Sequence, residues 1–558
     1  MSRFVDMLVA TANAGGKLRG VTTGEPREAT RTTWAEVHEQ ARAIAGALVS
    51  RGMAPHDAVA VLAAEPAEIG PAVQAVWLAG GSVTMLHQPT PRSDLALWAE
   101  DTLRVLNMIG SKLVLLGAPF DQLAAVLDEH GIGYQLVTEL SGGTPLTEAI
   151  EVDESAPALL QLTSGSTADP KAVRITHGNL LSNISDMAQC AELDPENDIM
   201  VSWLPMFHDM GMVGFYTTPM TIGIELVKVT PVDFLTGPLL WAQLITKHHA
   251  TITAAPNFAY ALLGRRLSGV DDDDAYDLSS MRLALNGAEP IDEKAVNSFT
   301  GNGARFGLRA ECVFPAYGMA EGTLAISFPP VFTGLRLDYI DAAALEADQR
   351  AVPVEPSDAP SARSFALLGK PLPGFEARIV DTSSGEVRGE REVGEIHIRG
   401  AAVTPGYLTV DGPLATQDAD GWLATGDLGY IVDGEIVICG RAKDVIILAG
   451  RNIYPTDIER AASTVEGVRA GNAVAVRLDA GTRRERFAVV VESRLADDAN
   501  AVRRLRKEIG ARVFEAVNAR PSAVEVIPPG TLPKTPSGKL RRAAAGEQLA
   551  ERLTGPGA

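Results

Sequence analysis

The stretch Leu160-Gln161-Leu162-Thr163-Ser164-Gly165-Ser166-Thr167-Ala168-Asp169-Pro170-Lys171-Ala172-Val173 decides how this chain of 558 residues is read. An apolar approach of strand character ends in a loop of hydroxyls, one glycine, a proline and a lysine. Val173, Ile175 and the segment His177-Gly178-Asn179-Leu180-Leu181 then resume ordered structure. Such a loop suits phosphate, because small side chains let backbone N–H groups converge on oxygens, hydroxyls add donors and lysine adds charge. It is not the common G-x-x-x-x-G-K-[ST] loop, since no glycine precedes Lys171 and Ala172 follows it. Taken alone, the same letters also make an ordinary turn.

Outward from the loop, the chain reads as α/β. The segment 33–51 carries apolar positions at helical spacing and stops at Gly52. Ala58–Ala63 reads as a buried strand, Ala72–Leu78 as helix closing at Gly80-Gly81, Leu95–Ile109 as helix and Leu113–Leu116 as strand. Strands separated by helices predict a parallel sheet with helices on its faces. At 558 residues the chain exceeds one core and predicts at least two domains.

Hydrophobic residues at 46% and charged residues at 21% are those of a globular protein. No apolar run is long enough to span a membrane and no signal pattern opens the chain, so a cytoplasmic protein is expected. Cys190, Cys312 and Cys439 are widely spaced and odd in number, which fits buried thiols better than a disulfide framework or zinc site. The net charge of −21 is unevenly spread: residues 441–558 hold 21 Lys+Arg against 14 Asp+Glu, leaving 28 against 56 for residues 1–440. The acidic body is a poor partner for nucleic acid, and the basic end lacks an aromatic-interleaved binding motif. That end either attracts an acidic protein partner or simply solvates exposed faces.

Four later motifs follow the loop. They are Trp203-Leu204-Pro205-Met206-Phe207-His208-Asp209-Met210-Gly211, then Tyr317-Gly318-Met319-Ala320-Glu321, then Thr425-Gly426-Asp427-Leu428-Gly429 with Gly440-Arg441-Ala442-Lys443-Asp444, and last Pro533-Lys534-Thr535-Pro536-Ser537-Gly538-Lys539-Leu540-Arg541-Arg542. Their order resembles the adenylate-forming superfamily over nearly the whole chain. The WLP-xx-HDMG form and Ala255-Pro256-Asn257-Phe258-Ala259-Tyr260 look most like the fatty acyl-AMP ligases of actinobacteria.

That resemblance implies a large adenylation domain, residues 1–440, of parallel sheets, helices and a small β-rich part. A mobile α+β lid, residues 441–558, would follow a hinge near Lys443. It implies ATP, bound as AMP or acyl-AMP, and Mg²⁺. Thr163, Ser164, Gly165, Ser166 and Thr167 would contact phosphate with Lys171. Gly287, Ala288 and Tyr317 would flank the adenine, and Asn286, Glu289, Gly318, Met319 and Ala320 would also bind the cofactor. Asp427 would take the ribose diol and Arg441 the nucleotide, and Glu321 with the Thr163 hydroxyl would hold Mg²⁺. His208 would lie beside the acyl-phosphate, and Lys539 would swing in to contact both carboxylate and phosphate. Read without the resemblance, His208 and Tyr317 are equally packed core side chains, Glu321 an acid at a helix start and Lys539 a solvated lysine.

Between Glu321 and Gly369 lie 47 residues, more than acyl-CoA ligases usually place there. The text from Asp338 to Val354, within a stretch of about 329–365, resembles the insertion of fatty acyl-AMP ligases that is thought to restrain domain movement and disfavour CoA; an ordinary long surface loop is the other reading. The expected reaction is activation of a medium- or long-chain fatty acid, then transfer to the phosphopantetheine thiol of an acidic acyl carrier protein or of a carrier domain of a polyketide or nonribosomal synthase. A fatty acyl-CoA ligase is the alternative, a stand-alone adenylation enzyme for an amino or aryl acid the third reading, and a silent nucleotide- or acyl-binding relative the last. Ala168 and Ala172 depart from the glycines of relatives, which matters only if φ must be positive there.

Overall fold

The computed structural model describes residues 2–14, 18–89, 94–163, 169–355, 362–448, 451–469, 471–482, 485–534, 540–550 and 552. They form two compact units, the first holding residues 1–336, 368–376 and 398–423, the second residues 337–367, 377–397 and 424–558.

Two large sheets build the first unit. In one, Val313–Pro315, Leu283–Asn286, Ile252–Ala255, Ile199–Ser202, Glu225–Lys228 and Gly20–Thr23 lie side by side in parallel, with Thr30–Thr33 antiparallel at the edge. In the other, Tyr134–Leu136, Val114–Leu116, Ala58–Leu62, Ser82–Met85 and Pro157–Leu162 run parallel; Lys171–Thr176, Gly406–Thr409 and Gly412–Ala415 extend the sheet in antiparallel fashion. The short runs AVAVL and PALLQL are buried along nearly their whole length, as parallel strands covered on both faces must be.

Helices begin where the local chemistry starts them. Trp34–Ser50 opens with a capping box in which the Thr33 hydroxyl accepts from Glu36 N and the Glu36 carboxylate accepts from Thr33 N. Thr176 and Asn179 do the same for His177–Cys190, and Asp94 caps Leu95–Ile109, which ends on Gly110 in the left-handed region. The helix expected over 72–78 starts earlier, at Pro66, and carries Pro71 inside it. Pro66, at the first helical position, gives up an N–H that has no partner there anyway.

The second unit holds most of a four-stranded sheet, Phe375–Val380, Gly394–Gly400, Leu423–Val432 and Glu435–Arg441, the last two strands antiparallel. It also holds a three-stranded sheet of Ala473–Leu478, Arg486–Glu492 and Ala523–Ile527. The helices Pro455–Ser463 and Ala499–Val517 bury Ile458, Ala462, Leu505, Ile509 and Val513 against it. The stretch of the expected insertion folds here as strand Leu337–Asp341, helix Ala342–Asp348 and strand Ala362–Ala366, the two strands paired antiparallel. Ile340 and Leu345 share a core with Tyr430, Val437, Cys439 and Tyr454. All three cysteines are free, and burial pushes the Cys312 thiol up to about 12. Among the described residues no helix is long and apolar enough to cross a membrane.

Candidate active site

The phosphate-type loop joins two strands paired at Leu162↔Ala172, and Thr163 N donates to Lys171 O at 3.2 Å. The Thr163 hydroxyl is buried and finds no hydrogen-bond partner among the described residues, an arrangement that costs stability unless a ligand uses it. Ala172 pairs with Leu162 on one side and Leu408 on the other and is not among the residues of positive φ. Alanine therefore fits, and the departure from glycine is harmless there. Ser164, Gly165, Ser166, Thr167 and Ala168 lie outside the described residues.

Opposite that loop, Gly406–Thr409 pairs with the Lys171 strand in the register Tyr407↔Val173 and Thr409↔Lys171. The Lys171 ammonium stands 4.4 Å from the Tyr407 ring centroid, and the Tyr407 hydroxyl donates to Glu321 Oε1 at 2.5 Å. Glu321 sits on the short turn Ala320–Gly322, and its carbonyl accepts from Thr404 N at 2.8 Å. Thr323 Oγ1 donates to Ala402 O at 2.7 Å, so the 401–407 segment ties this turn to the strand from two directions. Glu321 and Thr163 are hard oxygen donors of the kind Mg²⁺ takes in small number while phosphate and water complete its shell. The residues present fit that ion.

The strand leading into the loop also reaches the second motif. Gln161 Nε2 donates to Phe207 O at 2.9 Å, which fixes the WLPMFHDMG turn beneath it. His208 Nδ1 lies 2.5 Å from Asp209 Oδ1, and that same oxygen accepts from Met210 N at 2.7 Å. Met210–Thr217 then winds as a π-helix, a form concentrated at functional sites, with every residue buried. A Cβ on Gly211 would stand 2.1 Å from Pro205 O, so no larger residue closes this turn. Next to it is a side chain that the sequence reading missed. Lys228 is fully buried, donates to Ser202 Oγ at 3.0 Å and to Leu204 O at 2.5 Å, and is pushed down to about 7 by burial. Trp203 stacks on Phe234 with centroids 4.0 Å apart and meets Trp241 and Phe258 edge-on, forming an aromatic wall.

The two turns expected to flank the adenine are neighbours, because they leave adjacent parallel strands at their C-terminal ends. Ala316 N donates to Asn286 O at 3.0 Å, and Tyr260 OH donates to Leu285 O at 2.8 Å just before the turn. Ala288 holds φ +67°, an uncommon and strained value for a residue with a Cβ. Asn286 Oδ1 is buried with no partner among the described residues. Glu289, by contrast, is engaged: its carboxylate accepts from Phe258 N at 2.6 Å, at the start of helix Asn257–Leu267. Tyr317 is buried, with its hydroxyl 3.6 Å from the Met319 sulfur, and a Cβ on Gly318 would meet Leu324 O at 2.1 Å.

In the second unit Asp427 and Arg441 face each other across two antiparallel strands, and Arg441 Nε donates to Asp427 Oδ1 at 2.9 Å. Asp427 is buried while Arg441 is half-exposed. Gly426, immediately before it, turns in the left-handed region at φ +75°. Lys539 lies outside the described residues.

The model of the AMP-binding enzymes matches residues 12–408, and that of their C-terminal domain residues 450–544. The chain belongs to the AMP-binding enzyme family. It is 53% identical to Rv1013 of Mycobacterium tuberculosis, a protein provisionally named a ligase, over 97% of this chain and 99% of that one. It is 30% identical to the long-chain-fatty-acid–AMP ligase FadD26 of Mycobacterium marinum over 92% and 91%. A solved structure from work on fatty acyl-adenylate ligases of E. coli and L. pneumophila superposes with a TM-score of 0.88 at 30% identity, covering 99% and 98%. The protein is an adenylate-forming ligase with the adenylate-forming fold, a large N-terminal and a small C-terminal domain.

As an AMP-binding enzyme, the chain holds two site features that its motifs do not announce. Tyr407 belongs to the plain text Pro405-Gly406-Tyr407-Leu408 and acquires its place only by strand pairing with a partner more than 200 residues earlier. Lys228 ends an apolar strand, where a lone lysine carries no pattern; a signal was available only in its polarity among Leu226, Val227 and Val229.

Proposed function

We propose that this enzyme is a fatty acyl-AMP ligase that loads a carrier protein. In the first step a fatty-acid carboxylate oxygen attacks the α-phosphorus of ATP. The bond to the departing pyrophosphate breaks, and acyl-AMP forms. Two anions must meet, so the site needs cations and oriented dipoles in place of an acid–base pair. The observation that carries the reading is the grouping of Lys171, Tyr407 and Glu321 beside the unpaired Thr163 hydroxyl. Lys171 and the loop would meet phosphate oxygens, and Glu321 with Thr163 would hold Mg²⁺. Bound there, that ion would neutralise charge on the phosphates. Asn286, with its spare oxygen, and the Ala288 turn would receive the adenine, Asp427 and Arg441 the ribose and nucleotide, and Lys539 would bridge carboxylate and phosphate.

An apolar acyl chain is supported by the wall of Trp203, Phe234, Trp241 and Phe258, and by buried Met206, Phe207, Met212 and Phe215. Asp209, the one acid placed to anchor an amino group, already accepts from Met210 N and pairs with His208. An amino-acid substrate is therefore the weaker reading.

In the second step the carrier's thiol attacks the acyl carbon and AMP leaves, after movement about Lys443. The preference for a carrier over CoA rests on how the insertion is held. Within the second unit Glu346, on the helix of the insertion, accepts from Arg363 at 2.8 Å and from Arg451 at 2.5 Å. Arg363 also lies 3.0 Å from Asp457, and Asp338 is bonded by Arg391 and by Tyr430 OH at 2.6 Å. A lid tied to the insertion through Arg451–Glu346 and Asp457–Arg363 has less freedom to reach a CoA-accepting arrangement.

The test offers ATP, Mg²⁺ and fatty acids from C8 to C18 to the pure protein, with CoA in one tube and a phosphopantetheinylated carrier in another. Acyl-AMP that survives CoA and loads the carrier is the expected result by mass spectrometry. Abundant acyl-CoA would replace this reading with a fatty acyl-CoA ligase.

A further inference from the structure

The Lys171–Tyr407–Glu321 line has a geometry that neither charged residue explains by itself. Lys171 and Glu321 are opposite charges some 150 residues apart in sequence, yet neither is paired directly with the other in the structure; one tyrosine stands between them. Its ring serves the cation and its hydroxyl serves the anion. Strand register causes the first contact: Tyr407 opposes Val173 and Thr409 opposes Lys171, so Tyr407 and Lys171 are diagonal neighbours on one sheet face. An ammonium at 4.4 Å from the centroid is well inside cation–π range. The second contact follows from the 401–407 segment, where Thr404 N holds the Glu321 carbonyl at 2.8 Å and the Tyr407 hydroxyl holds its carboxylate. The same segment is anchored from below, since Thr404 Oγ1 donates to Arg174 O at 2.5 Å and Asn179 Nδ2 to Ala401 O at 2.7 Å.

We infer that Tyr407 is a positioning residue of the nucleotide site, which keeps the Glu321 carboxylate and the Lys171 ammonium apart and aimed until Mg·ATP binds. A direct Lys171–Glu321 ion pair would neutralise both and leave neither for metal or phosphate. The tyrosine prevents that collapse with interactions that a phosphate or a cation can replace. This rests on the assignment of Lys171 and Glu321 to Mg·ATP in the proposed function.

The two halves of the side chain separate in two variants of the full-length protein. Tyr407→Phe keeps the ring and loses the donor to Glu321, while Tyr407→Leu loses both. Binding of Mn²⁺ in the presence of ATP, followed by electron paramagnetic resonance, reads the metal side without turnover. ATP titration by calorimetry reads the phosphate side. Tyr407→Phe is expected to weaken Mn²⁺ binding about tenfold, the worth of one hydrogen bond to a charged group, with ATP affinity nearly unchanged. Tyr407→Leu is expected to weaken both, and to raise KM for ATP in pyrophosphate exchange as well as lowering kcat. A Tyr407→Phe protein with Mn²⁺ binding equal to the parent would overturn the inference, whatever its melting temperature. If the unaltered protein binds no Mn²⁺·ATP, the assignment beneath it falls, and the inference with it.

Discussion

Two groups of charged side chains in this molecule look alike in composition and differ in what they do with their charge. In the first unit Lys171 and Glu321 are half-buried, kept from pairing by Tyr407, and next to them Thr163 Oγ1 is left without a partner among the described residues. In the second unit Arg363 and Glu346 are only 6% exposed and spend their charge on one another, on Arg451 and on Asp457. A buried charge that is already paired holds structure together, and burying it costs heavily if one partner goes. A half-exposed charge that stays unpaired in its folded surroundings is available to a ligand. The first group reads as chemistry and the second as a mechanical joint.

The comparison breaks most visibly if Arg363 is removed. Arg363→Met leaves the buried Asp457 carboxylate without its paired cation and Glu346 with Arg451 alone, and is expected to cost about 3–5 kcal/mol of stability, read as a lower denaturation midpoint. Burial raises the Asp457 pKa against the pull of Arg363 and Arg460, so losing Arg363 should raise it further. A midpoint equal to the parent would mean that the joint carries little load. In the first unit Glu321→Gln should do the opposite. Adenylate formation is expected to fall about 10²–10³-fold, the usual loss when a transition-state stabiliser goes, with the melting temperature nearly unchanged. A large drop in stability with normal turnover would reverse the assignment of the two groups.

Lys228 belongs to neither group and sharpens the line between them. It is a fully buried cation bound, among the described residues, to Ser202 Oγ and Leu204 O. Its folded pKa of about 7 lies below the ordinary lysine value, so the unfolded chain binds more protons between pH 7 and that value, and stability rises with pH across the window. From pH 7 to 9 the gain is about 2 kcal/mol, and below pH 7 the buried charge is a standing cost. Lys228→Met is expected to remove that rise in thermal melts while leaving the rest of the profile. An unchanged slope would show that Lys228 keeps its proton through hydration or a nearby acid.

What could be read from the chain beforehand was whatever repeats locally. The helices over Leu95–Ile109 and Ala499–Val517 announce themselves through periodicity, an aspartate cap and a closing glycine or asparagine. The glycine-rich turns at 286–289 and 317–322 were legible because they punctuate strands. Tyr407 was not, since its meaning depends on pairing with a strand far away in sequence, and neither was Lys228, whose burial no linear pattern reports. The π-helix at Met210–Thr217 escaped for a related reason: apolar residues at every position show no period that separates it from an α-helix. Glu289, expected at the nucleotide, also accepts from Phe258 N at a helix start, a contact set by Phe258 arriving beside it in space. The 337–367 stretch was visible as extra length, but its cross-links to Arg451 and Asp457 were not.

The most direct trial of the whole account uses Arg451→Gln, which removes one of the two described cross-links between lid and insertion, keeping Arg363 beside Asp457 and Glu346 paired with Arg363 at 2.8 Å. Acyl-AMP formation and transfer to CoA are measured on the same enzyme with the same fatty acid. If one region does the chemistry and the other governs the acceptor, acyl-AMP will form at the parental rate and acyl-CoA will rise from background. Loss of acyl-AMP with the acceptor choice unchanged would contradict the account, placing the buried joint inside the chemistry it was assigned to control.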